Sequence, residues 1–333
     1  MATATTTTTT ETLRTALNQA LHGAMERDPS VVVFGEDICD PSGGVMKVTE
    51  GLSTRFGNRV RDTPISEIAI GGAAVGAAAA GLRPVFEIMI MDFISIAMDQ
   101  VQNHGAQLHY ITNGALKVPL TMRVTCGAGS GVGATHSQSL ETWLMHSPGF
   151  KVAAPSSPAE AKGLLTECIY DDDPCIFIEY VASYAMQGPV PEGEYRLPVG
   201  KANIARPGED ITLISYGPSI PMCLQAATEL EKTGINAEVI DLRWLLPLDT
   251  ETILASVTKT RRAVVVHQAR GFLGPGAEIA ALLQERLFTQ LLGPVLRVAA
   301  PFVPVPASPS LEQAYFPSVA DIVAAATYTS DNR

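Results

Sequence analysis

No run of about eighteen or more consecutive apolar residues occurs in this chain, so no membrane-spanning helix is expected. The most hydrophobic segment, Val85 to Ala97, is broken by Glu87 and Asp92. Positive charge is also short. The 23 Lys and Arg against 34 Asp and Glu leave a net charge of -11, which disfavours both nucleic acid and an anionic membrane as partners. The five cysteines (Cys39, Cys126, Cys168, Cys175 and Cys223) contain no CxxC pair. That spacing argues against a zinc site or a disulfide framework and suits reduced thiols in the cytoplasm. Residues 1–10, Met-Ala-Thr-Ala and six threonines, lack the basic and apolar regions of a signal peptide and read as a disordered polar tail. No internal repeat is visible.

What is present is alternation. The length of 333 residues suggests roughly two domains of about 150 residues each. Helical spacing from Glu11 to Arg27 precedes a continuous apolar run, Val31 to Phe34, of the kind found in buried parallel strands. A Gly/Ala-rich helix is expected over Ser66 to Ala80, a strand over Val85 to Met89 and a long helix over Phe93 to Tyr110. Strands follow at Leu120 to Thr125, Phe150 to Ala153 and Ile176 to Glu179. Between the last two lies a helix opened by Ser157 as N-cap and Pro158 at its first position. A Pro/Gly-rich stretch then precedes a second alternating pattern. The reading is α/β throughout: two three-layer α/β domains, the first at 11–186 built on a parallel sheet, a linker at 187–200, and a second domain at 201–330.

Glu67 is the one charged residue in its helix and sits at the mouth of it. An acid in a first helical turn is commonly a surface residue favoured by the helix dipole. Here the neighbours are small and apolar, and a lone buried carboxylate is costly without a partner. A protonatable heterocycle would be one. The loop Gly127 to Gly133 lacks both the Lys-Ser/Thr of a P-loop and the strand–GxGxxG–helix setting of a dinucleotide fold, so it reads as a flexible loop. It delivers His136, whose tautomer Ser137 and Gln138 could fix; no Ser-His-acid order accompanies it. Met89 and Phe93 flank a strand end, where ligands of open α/β sheets bind, and either line a pocket for a flat ring or belong to the core. Asp99 and Asn103 share a helix face. Asp171-Asp172-Asp173 reads as a solvated turn, although carbonyls at a helix end could hold a monovalent cation.

Taken in order, Gly35-Glu36-Asp37, Asp62-Thr63-Pro64-Ile65-Ser66-Glu67, Ala80 to Val85, Asp92-Phe93, Asp99-Gln100, His136-Ser137-Gln138, Ala161 to Leu165 and Asp241-Leu242-Arg243 with Pro247 resemble the beta subunit of the thiamine-diphosphate-dependent first component of 2-oxo acid dehydrogenase complexes. The resemblance runs over roughly residues 11–326. It implies a transketolase-type pyrimidine-binding domain followed by a transketolase C-terminal domain. It assigns Glu67 to the ring nitrogen of the aminopyrimidine, where it favours the imino tautomer. It assigns Met89 and Phe93 to packing on that ring, and His136 to proton donation toward an incoming lipoyl group. Leu120, Cys168, Ile169, Asp171 and Asp173 match a structural potassium site. No Gly-Asp-Gly with a spaced Asn is present. The resemblance places that signature, with its magnesium and the diphosphate, on an alpha subunit.

The same resemblance implies an α2β2 heterotetramer, a lipoyl acyltransferase partner and a pyruvate-like 2-oxo acid substrate. Thr135 stands where many members carry Gln, and several stretches look closer to acetoin-type members, which leaves the acyl substrate open. Two other readings remain: a split transketolase-like carboligase that transfers a two-carbon unit to a carrier protein, and a non-catalytic scaffold subunit.

Overall fold

The computed structural model describes residues 7–331. The chain divides into two compact units. The first comprises the chain up to Gly127 together with Ser147–Val199. The second comprises Ala128–His146 and the chain from Gly200 onward. The segment that carries the glycine loop and His136 therefore belongs with the second unit, although it lies within the range expected for the first domain.

In the first unit six strands run parallel in the order Lys151–Ala153, Cys175–Tyr180, Thr121–Cys126, Arg83–Ile88, Val31–Gly35 and Val60–Asp62. The two strands Thr121–Cys126 and Cys175–Tyr180 are buried at every position, the second nearly continuous in apolar residues and the first despite two threonines and Arg123. The Leu13–Arg27 helix, N-capped by Thr12, packs its buried stripe of Leu13, Leu17, Leu21 and Ala24 against the Pro158–Tyr170 helix. Ser157 caps that second helix by accepting from the Glu160 amide, and Pro158 is its first residue.

The Glu67–Ala79 helix packs against the segment that follows Met91. A Cβ on Gly71 would stand 3.3 Å from Val101 Cγ2 and 3.4 Å from Gln100 Cβ, so the small residues of this helix permit a close crossing. The expected single helix from Phe93 to Tyr110 is interrupted. A 3-10 turn at Met91–Phe93 leads into Ile94–Met98, then a π-helical stretch at Asp99–Ala106, then Gln107–Ile111. Wider π turns inside helices mark local strain or function more often than routine packing. Asn103 still donates to Asp99 Oδ1 at 2.8 Å.

Two expectations for the chain's edges change. Residues 1–6 lie outside the described residues, but Thr8–Thr12 is a strand rather than part of a disordered tail. It pairs antiparallel with Gln187–Pro191, inside the expected linker. β-branched threonines suit a half-covered strand. The rest of that linker is docked too, with the Tyr195 hydroxyl donating to the Ala159 carbonyl.

In the second unit the strands run Leu296–Ala300, Ala263–Arg270, Ile211–Ser215, Ala237–Asp241 and Asn203–Arg206, the last antiparallel and at the edge. Ile211, Leu213, Val239, Val264 and Val266 from the sheet meet Ile220, Cys223 and Leu230 of the Ser219–Glu231 helix, and Ile322 and Ala326 of the Val319–Asp331 helix. No described helix is long and apolar enough to cross a membrane.

Candidate active site

Glu67 is the first residue of the Glu67–Ala79 helix, and Ser66 before it makes no side-chain cap bond. The residue is only 7% exposed. Its carboxylate makes no hydrogen bond or ion pair among the described residues. Negative charge crowds this region. Glu36, which follows the Val31–Gly35 strand, is held above the usual carboxylate range by burial and by the charges of Glu67, Asp37 and Glu87. Burial also pushes Glu87 up, and Glu179 adds to it, against the pull of Arg123.

Arg123 organises the floor of this region. It lies in the fully buried Thr121–Cys126 strand and is 1% exposed. Its Nη1 donates to Glu87 Oε2 at 2.6 Å, while Nε and Nη2 donate to the two oxygens of Glu179 at 2.6 and 2.9 Å. The Tyr184 hydroxyl donates to Glu179 Oε2 at 2.5 Å. Burial opposes the guanidinium charge, but Glu179 and Glu87 outweigh it and hold Arg123 protonated. Glu87 and Tyr184 line a small cavity together with Gly44, Met46, Met89 and Thr125. The Thr125 hydroxyl donates to the Met89 carbonyl. Met89 thus stands where a pocket was expected. Phe93 is not part of that lining and sits half-buried at the end of the Met91–Phe93 turn.

This setting fits a heterocycle that brings a protonatable nitrogen. Glu67 is a sequestered carboxylate with no partner among the described residues, and Glu36 feels its charge, which favours a cationic or protonatable partner over an anion. In the same unit the cavity lined by Val45, Met46, Val48, Met89 and Ile90 offers apolar walls for a flat ring. Sequence reasoning missed the Arg123–Glu87–Glu179–Tyr184 network. Its signal was present: a lone arginine in an otherwise uncharged central strand.

In the second unit, His136 is half-buried. Its amide donates to the Gly133 carbonyl, and the Thr135 hydroxyl lies 3.1 Å from Nδ1. Thr135 thus stands against one ring nitrogen of His136. The Ser137 hydroxyl is buried without a partner among the described residues, and Gln138 Oε1 accepts from Arg270 Nη2 at 3.3 Å. The glycine loop is not free. The amides of Gly129 and Gly131 donate to the two oxygens of Glu312 at 3.0 and 2.9 Å.

The positions matched to potassium come together at the end of the Pro158–Tyr170 helix, where they form an ion-pair hub instead of the expected solvated turn. Arg83 Nη1 donates to the Ile169 and Asp171 carbonyls at 3.3 and 2.8 Å. The Leu120 carbonyl accepts from the Cys175 amide, and the Cys168 carbonyl from the Asp171 amide. Lys151 Nζ holds Asp171 at 2.6 and 2.7 Å and Asp173 at 2.9 Å. Burial lowers that ammonium's pKa, but the bonds to Asp171 and Asp173 prevail and raise it to about 12. Asp172 takes Arg83 and Lys117. The oxygens are of the kind a monovalent cation takes, yet Arg83 already engages the Ile169 and Asp171 carbonyls and Lys151 the Asp171 and Asp173 carboxylates. Among the described residues no group of three or more His, Cys, Asp or Glu side chains could hold a metal ion.

Comparison with known proteins identifies the chain. Residues 10–186 match the family "Transketolase, pyrimidine binding domain", and residues 200–322 match "Transketolase, C-terminal domain". The beta subunit of acetoin:2,6-dichlorophenolindophenol oxidoreductase from Cupriavidus necator is 44% identical over 95% of this chain and 96% of its own length. The pyruvate dehydrogenase E1 component subunit beta of Staphylococcus epidermidis is 44% identical over 96% of this chain and 98% of its own. This chain belongs to the E1 beta-subunit family of 2-oxo acid dehydrogenases. The 2-oxoisovalerate dehydrogenase subunit beta of Pseudomonas aeruginosa, another member, is also 44% identical, over 96% of this chain and 95% of its own length. Family members with three different substrates in their names therefore stand at the same identity. A split-gene transketolase described as an inactive beta4 tetramer shares the fold with a TM-score of 0.80, at 23% identity over 96% of this chain and 98% of its own.

Proposed function

We propose that this chain is the beta subunit of a thiamine-diphosphate-dependent dehydrogenase that, with an alpha subunit, decarboxylates a pyruvate-like 2-oxo acid and reductively acylates a lipoyl domain. The observation that carries the reading is Glu67, a buried carboxylate with no partner among the described residues, at the head of an otherwise uncharged helix. When bound, thiamine diphosphate supplies the electron sink for decarboxylation. Glu67 would hold the pyrimidine through a proton at its carboxylate. Met89 and Phe93 would cover the ring's apolar faces. Arg123 keeps Glu87 and Glu179 in place beneath the cavity. His136, with Thr135 at Nδ1, would deliver a proton from its ring to the acyl acceptor.

The alpha subunit would hold the diphosphate and its magnesium in an α2β2 assembly, a lipoyl acyltransferase would receive the acyl group, and the complex would work in the cytoplasm. Potassium at the Asp171 turn is the remaining part of the proposal; each carbonyl there keeps a second lone pair for it. Acetoin as substrate is the second reading; the acetoin oxidoreductase beta subunit is as similar to this chain as the pyruvate and 2-oxoisovalerate dehydrogenase subunits are, so identity does not rank the substrates. The carboligase reading rests on fold alone, and a scaffold would have no use for Glu67.

The test is a substrate screen on the co-expressed alpha–beta pair, with pyruvate, branched 2-oxo acids and acetoin, and with dichlorophenolindophenol as acceptor. Glu67→Gln should lower kcat by roughly 10²- to 10⁴-fold while the pair still assembles. Full turnover in that variant would remove Glu67 from the mechanism.

A further inference from the structure

The loop between Gly127 and His136 holds three glycines with left-handed backbone, Gly129 at φ 85°, Gly131 at φ 72° and Gly133 at φ 74°. Such a stretch has many conformations of similar energy, so something outside it must select one. The selecting group is a single side chain. Glu312, in the short Pro309–Tyr315 helix, is 6% exposed and forms no ion pair among the described residues. Among the described residues its carboxylate bonds only to the amides of Gly129 and Gly131, one to each oxygen. A buried carboxylate satisfied only by two backbone amides makes charge-assisted bonds, which are short and directional. The amides are thereby withdrawn from any phosphate, which gives a physical reason why this glycine loop is not a nucleotide cradle.

The downstream flank is tied as well. Arg270 Nη2 donates to Gln138 Oε1 at 3.3 Å, and Arg270 Nε reaches the Val303 carbonyl at 3.4 Å. Ala307 lies under the loop, 3.2 Å from where a Cβ on Gly133 would stand. His136 therefore sits between two anchors, with its own amide bonded to Gly133. We propose that Glu312 is a positioning residue for His136, fixing the glycine loop in the shape that presents the imidazole to the acyl acceptor. This rests on the role given to His136 above.

The experiment uses the co-expressed alpha–beta complex and two assays: reductive acylation of a free lipoyl domain, and 2-oxo acid-dependent reduction of dichlorophenolindophenol, which needs no lipoyl group. Glu312→Gln keeps the shape but replaces one accepting oxygen with an NH2 that faces an amide donor. It should lower the ratio of acylation to dye reduction by roughly ten- to a hundredfold, the scale of a misplaced catalytic group. Hydrogen exchange at the amides of Gly129 and Gly131 should accelerate in parallel. Glu312→Asp retains the charge and should recover part of the ratio.

An unchanged ratio in folded Glu312→Gln overturns the inference, as does a fall of both assays in step. Should Glu312→Gln fail to fold, the ratio in Glu312→Asp decides in the same way. His136→Asn separates the two readings. If it leaves acylation intact, the role of His136 fails. If it abolishes acylation while Glu312→Gln does not lower the ratio, only the role of Glu312 fails.

Discussion

His267 shows how far one side chain can be committed to a single protonation state. It is fully buried in the Ala263–Arg270 strand. Nδ1 lies 2.9 Å from the Ala269 carbonyl and so carries the proton, leaving Nε2 to accept from the Gly276 amide at 3.1 Å. That amide belongs to the first turn of the Pro275–Leu287 helix, so the neutral ring acts as a cap. Burial drives the pKa down to about 4, and the charge of Arg297 adds to it, against the bond to Ala269. Between about 4 and the unfolded value near 6.5 the unfolded chain binds the extra proton. Stability from this residue is therefore complete above pH 6.5 and is lost as pH falls toward 4, on the order of 3 kcal/mol across the window. Urea unfolding at pH 7.5 and pH 5 should show the loss, and His267→Gln should flatten that part of the profile. Arg123 is the opposite case, a residue whose charge is secured by two buried acids. The partners of Arg123 come from different strands, and only register brings them together, so the lone arginine could be seen in the sequence but not its partners. The partners of His267 are near in sequence, but nothing in the composition says that the ring turns inward to meet them.

At the level of elements, the turn after Pro158–Tyr170 carries its own expected outcome. Arg83, Lys117 and Lys151 converge on three consecutive aspartates and two carbonyls. If potassium adds to that hub, thermal melts in 0.1 M potassium chloride should rise above melts in choline chloride by about 2 °C. Equal melts would leave Arg83 and Lys151 as its sufficient cations. The order of strands and helices was legible because period and apolar runs are local properties: the Val31–Gly35, Thr121–Cys126 and Ile211–Ser215 strands each read directly from their composition. The Ser157–Pro158 cap was equally local. The π stretch at Asp99–Ala106 was not. It lies where the Gly71 face of the neighbouring helix comes close to Gln100 and Val101, a proximity that no window of the sequence around Asp99 reveals. The Thr8–Thr12 strand was masked for the same reason, since its partner lies near residue 190.

For the molecule as a whole, the absent Gly-Asp-Gly signature and the acidic surface set the main expectation. The purified chain alone should show neither thiamine diphosphate binding by calorimetry nor dye reduction, and an added alpha subunit should restore both. Turnover by the isolated chain would mean that the diphosphate end of the site is supplied from within. Glu67 was legible as a site residue because an acid in a Gly/Ala helix stands out without any partner. Glu312 was not, since its meaning depends on amides 181 and 183 residues earlier.

That separation has a consequence during synthesis. Ribosomes extend a chain at about 5–20 residues per second, so the glycine loop waits roughly ten to forty seconds after Gly131 is made before Glu312 exists to hold it. During that interval most of the rest of its unit, the chain from Gly200 onward, is still being made. A nascent chain stalled before residue 312 would display the loop without its clamp, and the second unit can close only near the end of translation.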